Sequence, residues 1–259
     1  MQHPKDADLV AHDVLPLFAV QRKGEPSKPV AFCGSAFLIA PNLLITCHHC
    51  VRDKLPPDQG YAAVQQTPDG VPIAGFLENI TQHPGGHDLV IANVPFAPVL
   101  GFELARDVAV TGGDVFGYGY PLTDTKDSPQ GLTFVLNARY LQGYVMRRFF
   151  YDHQKYVPTP VYELDMPAPE GLSGAPLVLL RTRRVVGVVF GTHDVGVIEE
   201  RSYVDQATGQ RTPELQRIVS FSLAHHLDVV STLLVPGTTQ FLRSYLDAKP
   251  TQSTTPTAH

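Results

Sequence analysis

An all-β fold is what this 259-residue chain predicts, and three observations point to it. It holds 21 Gly and 23 Pro, more than a typical folded protein but less than a disordered low-complexity one, so many short elements joined by many turns are expected. Short apolar and β-branched runs recur along it, each bounded by turn residues. Helical periodicity is almost absent before residue 223.

The elements follow in order. Val14 to Val20 reads as a strand ended by Gln21-Arg22-Lys23-Gly24. Phe32 to Ile39 and Leu43 to Thr46 flank Ala40-Pro41-Asn42, which is hairpin chemistry. Further strands are expected at Tyr61 to Val64, Val71 to Ile80, Leu89 to Val94, Val115 to Tyr118, Leu132 to Leu136 and Leu141 to Val145. Val161 to Leu164, Leu177 to Leu180, Val185 to Phe190 and Ile218 to Leu223 complete the set, about a dozen at sandwich or barrel spacing. A helix is expected over Ala224 to Leu234, stopped by Pro236, with a second after Thr238 or Thr239 carrying Phe241, Leu242, Tyr245 and Leu246. Residues 250–259 read as a disordered tail.

Composition excludes several classes. Net charge is −5, so no global basic field is present to hold a nucleic-acid backbone. Arg147-Arg148 and the Arg181, Arg183, Arg184 cluster read as solvated faces, and no nucleic-acid partner is expected. No apolar run reaches the roughly 18–20 residues that span a bilayer, so no membrane partner is expected either. The first residues carry no signal-like apolar block, and three cysteines are too few for a disulfide scaffold; the expectation is a cytoplasmic protein with reduced thiols.

Three segments could carry chemistry: Leu43 to Val51 (LLITCHHCV), His87 to Val94 (HDLVIANV) and Glu170 to Val178 (EGLSGAPLV). A serine hydroxyl is a weak nucleophile unless a base takes its proton, and a neutral imidazole is the natural base. That imidazole needs a carboxylate on its far nitrogen to fix the tautomer and stabilise the imidazolium. Glycines beside the serine let backbone N–H groups converge where an oxyanion would form. Cys47-x-x-Cys50 invites a zinc reading, but adjacent ligands on one turn cannot all converge on a tetrahedral ion, and no second pair exists. No metal is expected.

With GSAFLI at 34–39 and VVGVVFG at 185–191, these segments stand in an order that resembles the trypsin-like serine proteases of the chymotrypsin fold. The resemblance covers roughly residues 14 to 235. It implies two six-stranded antiparallel β-barrels: 14–120 carrying the His and Asp, and 121–235 carrying the Ser. Residues 1–13 would be an extension and 236–249 a C-terminal helix. Aligned on Thr46 and Cys50, the family's catalytic His is His49 rather than His48, its Asp is Asp88 and its Ser is Ser173. The N–H groups of Gly171 and Ser173 would form the oxyanion hole. Pro167, Phe190 and Ile218 would line the specificity pocket, which predicts a preference for small or apolar side chains. No cofactor is implied.

Departures are visible too. Leu172 stands where the family has the Asp that pairs with a new N-terminus, and Ala175 replaces a Gly. Val189-Phe190-Gly191 lacks the Ser that often supports the catalytic Asp. An α/β-hydrolase is excluded because the chain order is His, Asp, Ser and residue 175 is not Gly. The implied activity is a serine endopeptidase acting on protein or peptide substrates, restrained by narrow specificity or by a regulatory protein partner. The alternatives are a catalytically silent protease-like binding module and an esterase or transacylase on the same fold.

Overall fold

The computed structural model describes residues 12–22, 28–66, 70–99, 101–128, 131–152, 155–200, 204, 210–211 and 215–248. The expected tail and most of the expected N-terminal extension lie outside them.

The first half is built from β1 (Val14–Gln21), β2 (Pro29–Ala40), β3 (Leu43–Thr46), β4 (Gln59–Gln66), β5 (Pro72–Phe76), β6 (Glu78–Gln82) and β7 (Val90–Asn93). They form one antiparallel sheet in the order β5-β4-β1-β2-β3-β7-β6. Seven strands replace the expected six because the Val71 to Ile80 run breaks at Leu77, whose N–H turns to the Tyr61 carbonyl at 2.9 Å. The two edge strands are thus consecutive in sequence and joined through Leu77, and the sheet is a half-barrel rather than the expected closed one. The β2–β3 hairpin forms where expected, with Ala40 opposite Leu43 and Asn42 at φ +62°. Asn tolerates this left-handed conformation better than other non-glycine residues.

The second half is a closed barrel of β8 (Asp114–Gly119), β11 (Arg139–Tyr151), β12 (Thr159–Leu164), β13 (Pro176–Leu179), β14 (Val185–Glu200) and β15 (Leu215–His226), ordered β11-β12-β15-β14-β13-β8. A separate hairpin pairs β9 (Asp124–Ser128) with β10 (Gly131–Val135). The expected boundary at residue 120 therefore falls too late. Gly117 of β8 pairs with both Leu141 and Leu177, which commits that strand to the second barrel. Beyond Gly191, β14 and β15 continue as a long hairpin, from Thr192 opposite Ser222 to Glu200 opposite Leu215.

Helix is scarcer than expected. Ala224, His225 and His226 pair with Val189, Val188 and Gly187, so the ladder holds them extended and the first helix, α1, spans only Leu227–Ser231. His226 caps it, accepting the Asp228 N–H at 3.3 Å. The second helix, α2, spans Leu242–Ala248, and Thr238 caps a turn ahead of it rather than the helix itself. No helix among the described residues is long and apolar enough to cross a membrane.

One apolar core runs through both halves, joining Leu15, Phe37 and Ile91 to Phe116, Leu177 and Val188. The residue just before β1 is part of this architecture. Asp13 is buried, and its carboxylate accepts the Val99 N–H at 2.6 Å and the Gly101 N–H at 2.7 Å. Removing it would leave two donors with no partner, so Asp13→Ala is expected to lose about 2–4 kcal/mol of stability in urea unfolding. A change below about 0.5 kcal/mol would mean that these bonds contribute little.

Candidate active site

The structure pairs His49 with Asp88, and the Ser173 turn meets the same segment through Cys50, whose thiol donates to the Ser173 carbonyl at 3.7 Å. β3 ends at Thr46 and delivers the chain into a short 3₁₀ turn, His48–Cys50, at the cleft. Asp88 lies just ahead of β7, which pairs with β3 from Leu43 opposite Asn93 to Thr46 opposite Val90. That pairing brings the two segments together: the Asp88 carboxylate accepts the His49 main-chain N–H at 2.8 Å and His49 Nδ1–H at 2.6 Å. Both oxygens are engaged by one residue, which fixes the ring's tautomer and direction.

The environment sets the charges. Asp88 is 5% exposed. Burial alone would favour its neutral form, but the His49 hydrogen bonds and charge outweigh that and hold its pKa below the usual carboxylate range. For His49, burial opposes a charge, while the Asp88 carboxylate and the neighbouring Cys50 more than offset it and raise the pKa above the ordinary imidazole value. The three cysteines form no disulfide, and the Cys47 and His49 side chains hold the Cys50 pKa below the ordinary thiol value.

Ser173 sits in a turn bracketed by Gly171 (φ +93°) and Gly174 (φ +89°). Gly174 is required twice over: its φ is left-handed, and a Cβ there would collide with the Ser35 carbonyl and the Thr46 hydroxyl. Ala175 has no positive φ, so the Gly-to-Ala departure costs no backbone strain. Ser35, which the motif reading passed over, anchors this turn. Its N–H donates to the Ser173 carbonyl at 2.8 Å and its hydroxyl to the Gly171 carbonyl at 2.8 Å, while its own carbonyl accepts from the Thr46 hydroxyl at 2.8 Å. The Ser173 hydroxyl donates to the Phe190 main-chain carbonyl at 3.1 Å, and among the described residues it makes no hydrogen bond to His49.

The remaining expectations fare unevenly. Phe190 does face the cleft: with His49, Asp88, Arg52, Tyr151 and Tyr156 it lines a cavity of about 260 Å³. Pro167 is exposed. Ile218 is 70% exposed and lies opposite Gly196 on the long hairpin. That is four residues, roughly 13 Å, beyond the Thr192–Ser222 pair. The alignment misplaced it because the hairpin's length was not visible in the motifs. His48 meets the Tyr156 hydroxyl at 3.3 Å rather than a main-chain carbonyl. Arg147 is engaged by Glu163 at 2.8 Å and Arg184 by Glu103 at 3.0 Å, while the Arg183 guanidinium lies over the Phe116 ring.

Cys47, Asp88 and His225 bring one ligating atom each within 4.8 Å of one another. The donor set suits a metal poorly. Burial pushes the Cys47 thiol well up, which disfavours the thiolate that a metal would need.

Charge on Asp88 is what raises His49, so Asp88→Asn is expected to lower the His49 titration midpoint by about one unit or more, read from its ring ¹⁵N shifts by NMR. An unchanged midpoint would show that the carboxylate does not act on the ring.

The model of the trypsin-like peptidase domain matches residues 34–188, more than half of the chain. None of the curated proteins matches it. Among solved structures, the chain is similar to the active form of the Rv3671c protease from M. tuberculosis (TM-score 0.57, 18% identity, covering 92% of this chain and 88% of that one). It is also similar to the HtrA-type protease AlgW with a decapeptide (TM-score 0.56, 14% identity, 88% and 65%). A third is the MamO protease domain from Magnetospirillum magneticum (TM-score 0.51, 20% identity, 83% and 92%). At these identities the likeness concerns the fold, which is trypsin-like. Family match, fold and ordered motifs agree: the chain belongs to the trypsin-like peptidase domain family.

Proposed function

We propose that the chain is a serine endopeptidase working through an acyl-enzyme. The observation that carries this reading is the double engagement of His49 by Asp88, with Nδ1 held at 2.6 Å, which leaves Nε2 as the nitrogen for proton transfer. Ser173 Oγ rotates from the Phe190 carbonyl toward Nε2 and attacks the scissile carbonyl carbon, and its proton passes to Nε2. The C–N bond then breaks as His49 returns that proton to the leaving amine. Water, deprotonated by the same nitrogen, repeats the sequence and frees Ser173. The N–H groups of Gly171 and Ser173, which no protein group occupies among the described residues, would receive the oxyanion.

A second reading rests on one observation. The Ser173 hydroxyl is engaged by Phe190 rather than His49, as it would be in a protease-like binding module without turnover. A fluorophosphonate probe separates the two, because only an activated serine reacts. In the endopeptidase reading, Ser173→Ala and His49→Ala each lose about 10⁴–10⁶-fold in kcat/KM on a peptide ester. The double variant is scarcely worse. His48→Ala stays within about tenfold, since it loses a single hydrogen bond to Tyr156. Wild-type turnover in every variant would overturn the assignment. Comparing peptide with ester substrates separates an esterase from a peptidase.

Specificity for small or apolar side chains before the cut is proposed on the charges near the turn. Glu163 points inward but is held by Arg147 at 2.8 Å and His193 at 3.4 Å, and Asp165 accepts the Tyr144 N–H. Glu170 is exposed. An unpaired cation buried in the pocket would cost several kcal/mol, so about tenfold or greater discrimination against Lys and Arg is expected in a peptide library. A library dominated by Arg or Lys at that position would refute this. A cytoplasmic location and a regulatory protein partner remain part of the proposal and rest on the sequence alone.

A further inference from the structure

Among the described residues, His225 is a fully enclosed imidazole beside the trio, and the mechanism above does not use it. It lies on β15, 1% exposed, and neither ring nitrogen has a hydrogen-bond partner among the described residues. One of those nitrogens, Cys47 Sγ and an Asp88 carboxylate oxygen all lie within 4.8 Å of one another. One face of the ring stacks on Phe190, with centroids 4.3 Å apart and planes 28° from parallel. Phe190 is the residue whose carbonyl receives the Ser173 hydroxyl. A single buried side chain thus touches the surroundings of both the acid and the nucleophile.

Its chemistry is narrow. Burial pushes its pKa down to about 3, so it is neutral at working pH and carries one N–H to give. The titratable groups facing it are Asp88 and His87 ahead of β7, and Cys47 and His49 at the turn after β3. The Cys47 thiol already donates to the Val189 carbonyl at 3.3 Å. Asp88 is the one negatively charged acceptor in that set, and His49 uses only two of the roughly four lone-pair sites a carboxylate offers. An apolar side chain would fill this volume without leaving a polar ring unpartnered, so the imidazole is best explained by that acceptor.

We propose that His225 is a positioning residue of the triad, a neutral imidazole beneath Asp88 whose N–H backs the carboxylate while its face braces the Phe190 segment that holds Ser173. The gap closes to a hydrogen bond when Ser173 leaves the Phe190 carbonyl for His49, in the way catalytic hydrogen bonds tighten on the substrate complex. A donor on Asp88 weakens the field that the carboxylate casts on His49. Removing the donor therefore raises the His49 midpoint, and the acidic limb of kcat/KM moves to higher pH.

The proposal rests on the triad reading, and its test separates the two. In full-length protein carrying Ser173→Ala, ring ¹⁵N NMR reads His49 whether or not the protein hydrolyses anything. There, His225→Phe, which keeps shape and stacking but loses the donor, is expected to raise the His49 midpoint by about half a unit or more. His225→Gln, which keeps an N–H, is expected to restore it. With Ser173 present, His225→Phe is expected to lower kcat about 10–100-fold with KM within about threefold, and His225→Gln to recover most of the loss. The unsubstituted protein supplies a check that needs no variant: His225 should stay neutral from pH 5 to 8 with its proton on the nitrogen nearer Asp88. An unshifted His49 midpoint in His225→Phe, equal kinetics for the Phe and Gln variants, or titration of His225 within that range would each overturn the proposal.

Discussion

Ser35 is the point on which the site depends. A nucleophile from one barrel and a base from the other can react only if the barrels are held in register to within about half an ångström. Ser35 supplies that register from the middle of β2. Its N–H and hydroxyl hold the carbonyls of Ser173 and Gly171, its hydroxyl also accepts the Tyr120 N–H at 3.0 Å, and its carbonyl receives Thr46 at the end of β3. Two of these bonds fix the turn carrying Ser173, one fixes the strand that leads to His49, and one ties in the end of β8. The close approach leaves no room for a side chain at Gly174, which is why the turn needs glycine there. Local conformation and interbarrel geometry are the same constraint seen at two scales.

The electrostatics follow from this closeness. Burying Asp88 would be costly if it were unpaired, and the compensation is specific: two donors from His49 converge on its two oxygens. The same pair that makes the burial tolerable also fixes the direction of the imidazole, so in the proposed mechanism stability and chemistry would draw on one interaction. Leu172 illustrates the opposite solution. It is fully buried where the resemblance places an acid, and it packs into the shared core instead of demanding a partner. Among the described residues, the Ser173 turn is thus held by main-chain bonds and packing.

How much of this was legible depended on whether the information was local. Strand runs and the Asn42 hairpin are short-range patterns, and they read correctly; the order of the three chemical segments was read from equally local motifs. The bend at Leu77, the transfer of β8 to the second barrel and the strand running through His226 depend on which neighbour each segment pairs with. Periodicity carries no such information: Ala224 to Leu234 fits a helical stripe, but the β14 ladder captured its first three residues. Ile218 was misplaced for a related reason. Its position is counted along a hairpin whose length no motif records. Ser35 was inside a quoted motif, yet its role is made by contacts more than a hundred residues away.

Phe190 shows how such long-range context creates function. The β14–β15 register shifts between Val189 and Gly191, so Phe190 sits in a bulge with an extra residue on one strand. A bulge re-aims side chain and carbonyl together. Immediately before it, Val189 stays in regular use: its N–H donates to the Ala175 carbonyl at 2.9 Å, and its carbonyl accepts from Gly174 at 2.8 Å and from the Cys47 thiol. One residue later the carbonyl meets the Ser173 hydroxyl and the ring meets His225. A regular strand would turn alternate residues to opposite faces and could not supply both sets of contacts on the cleft side. The local irregularity therefore lets one strand close the barrel and hold the Ser173 hydroxyl, and nothing in the residue types Val189-Phe190-Gly191 announces it.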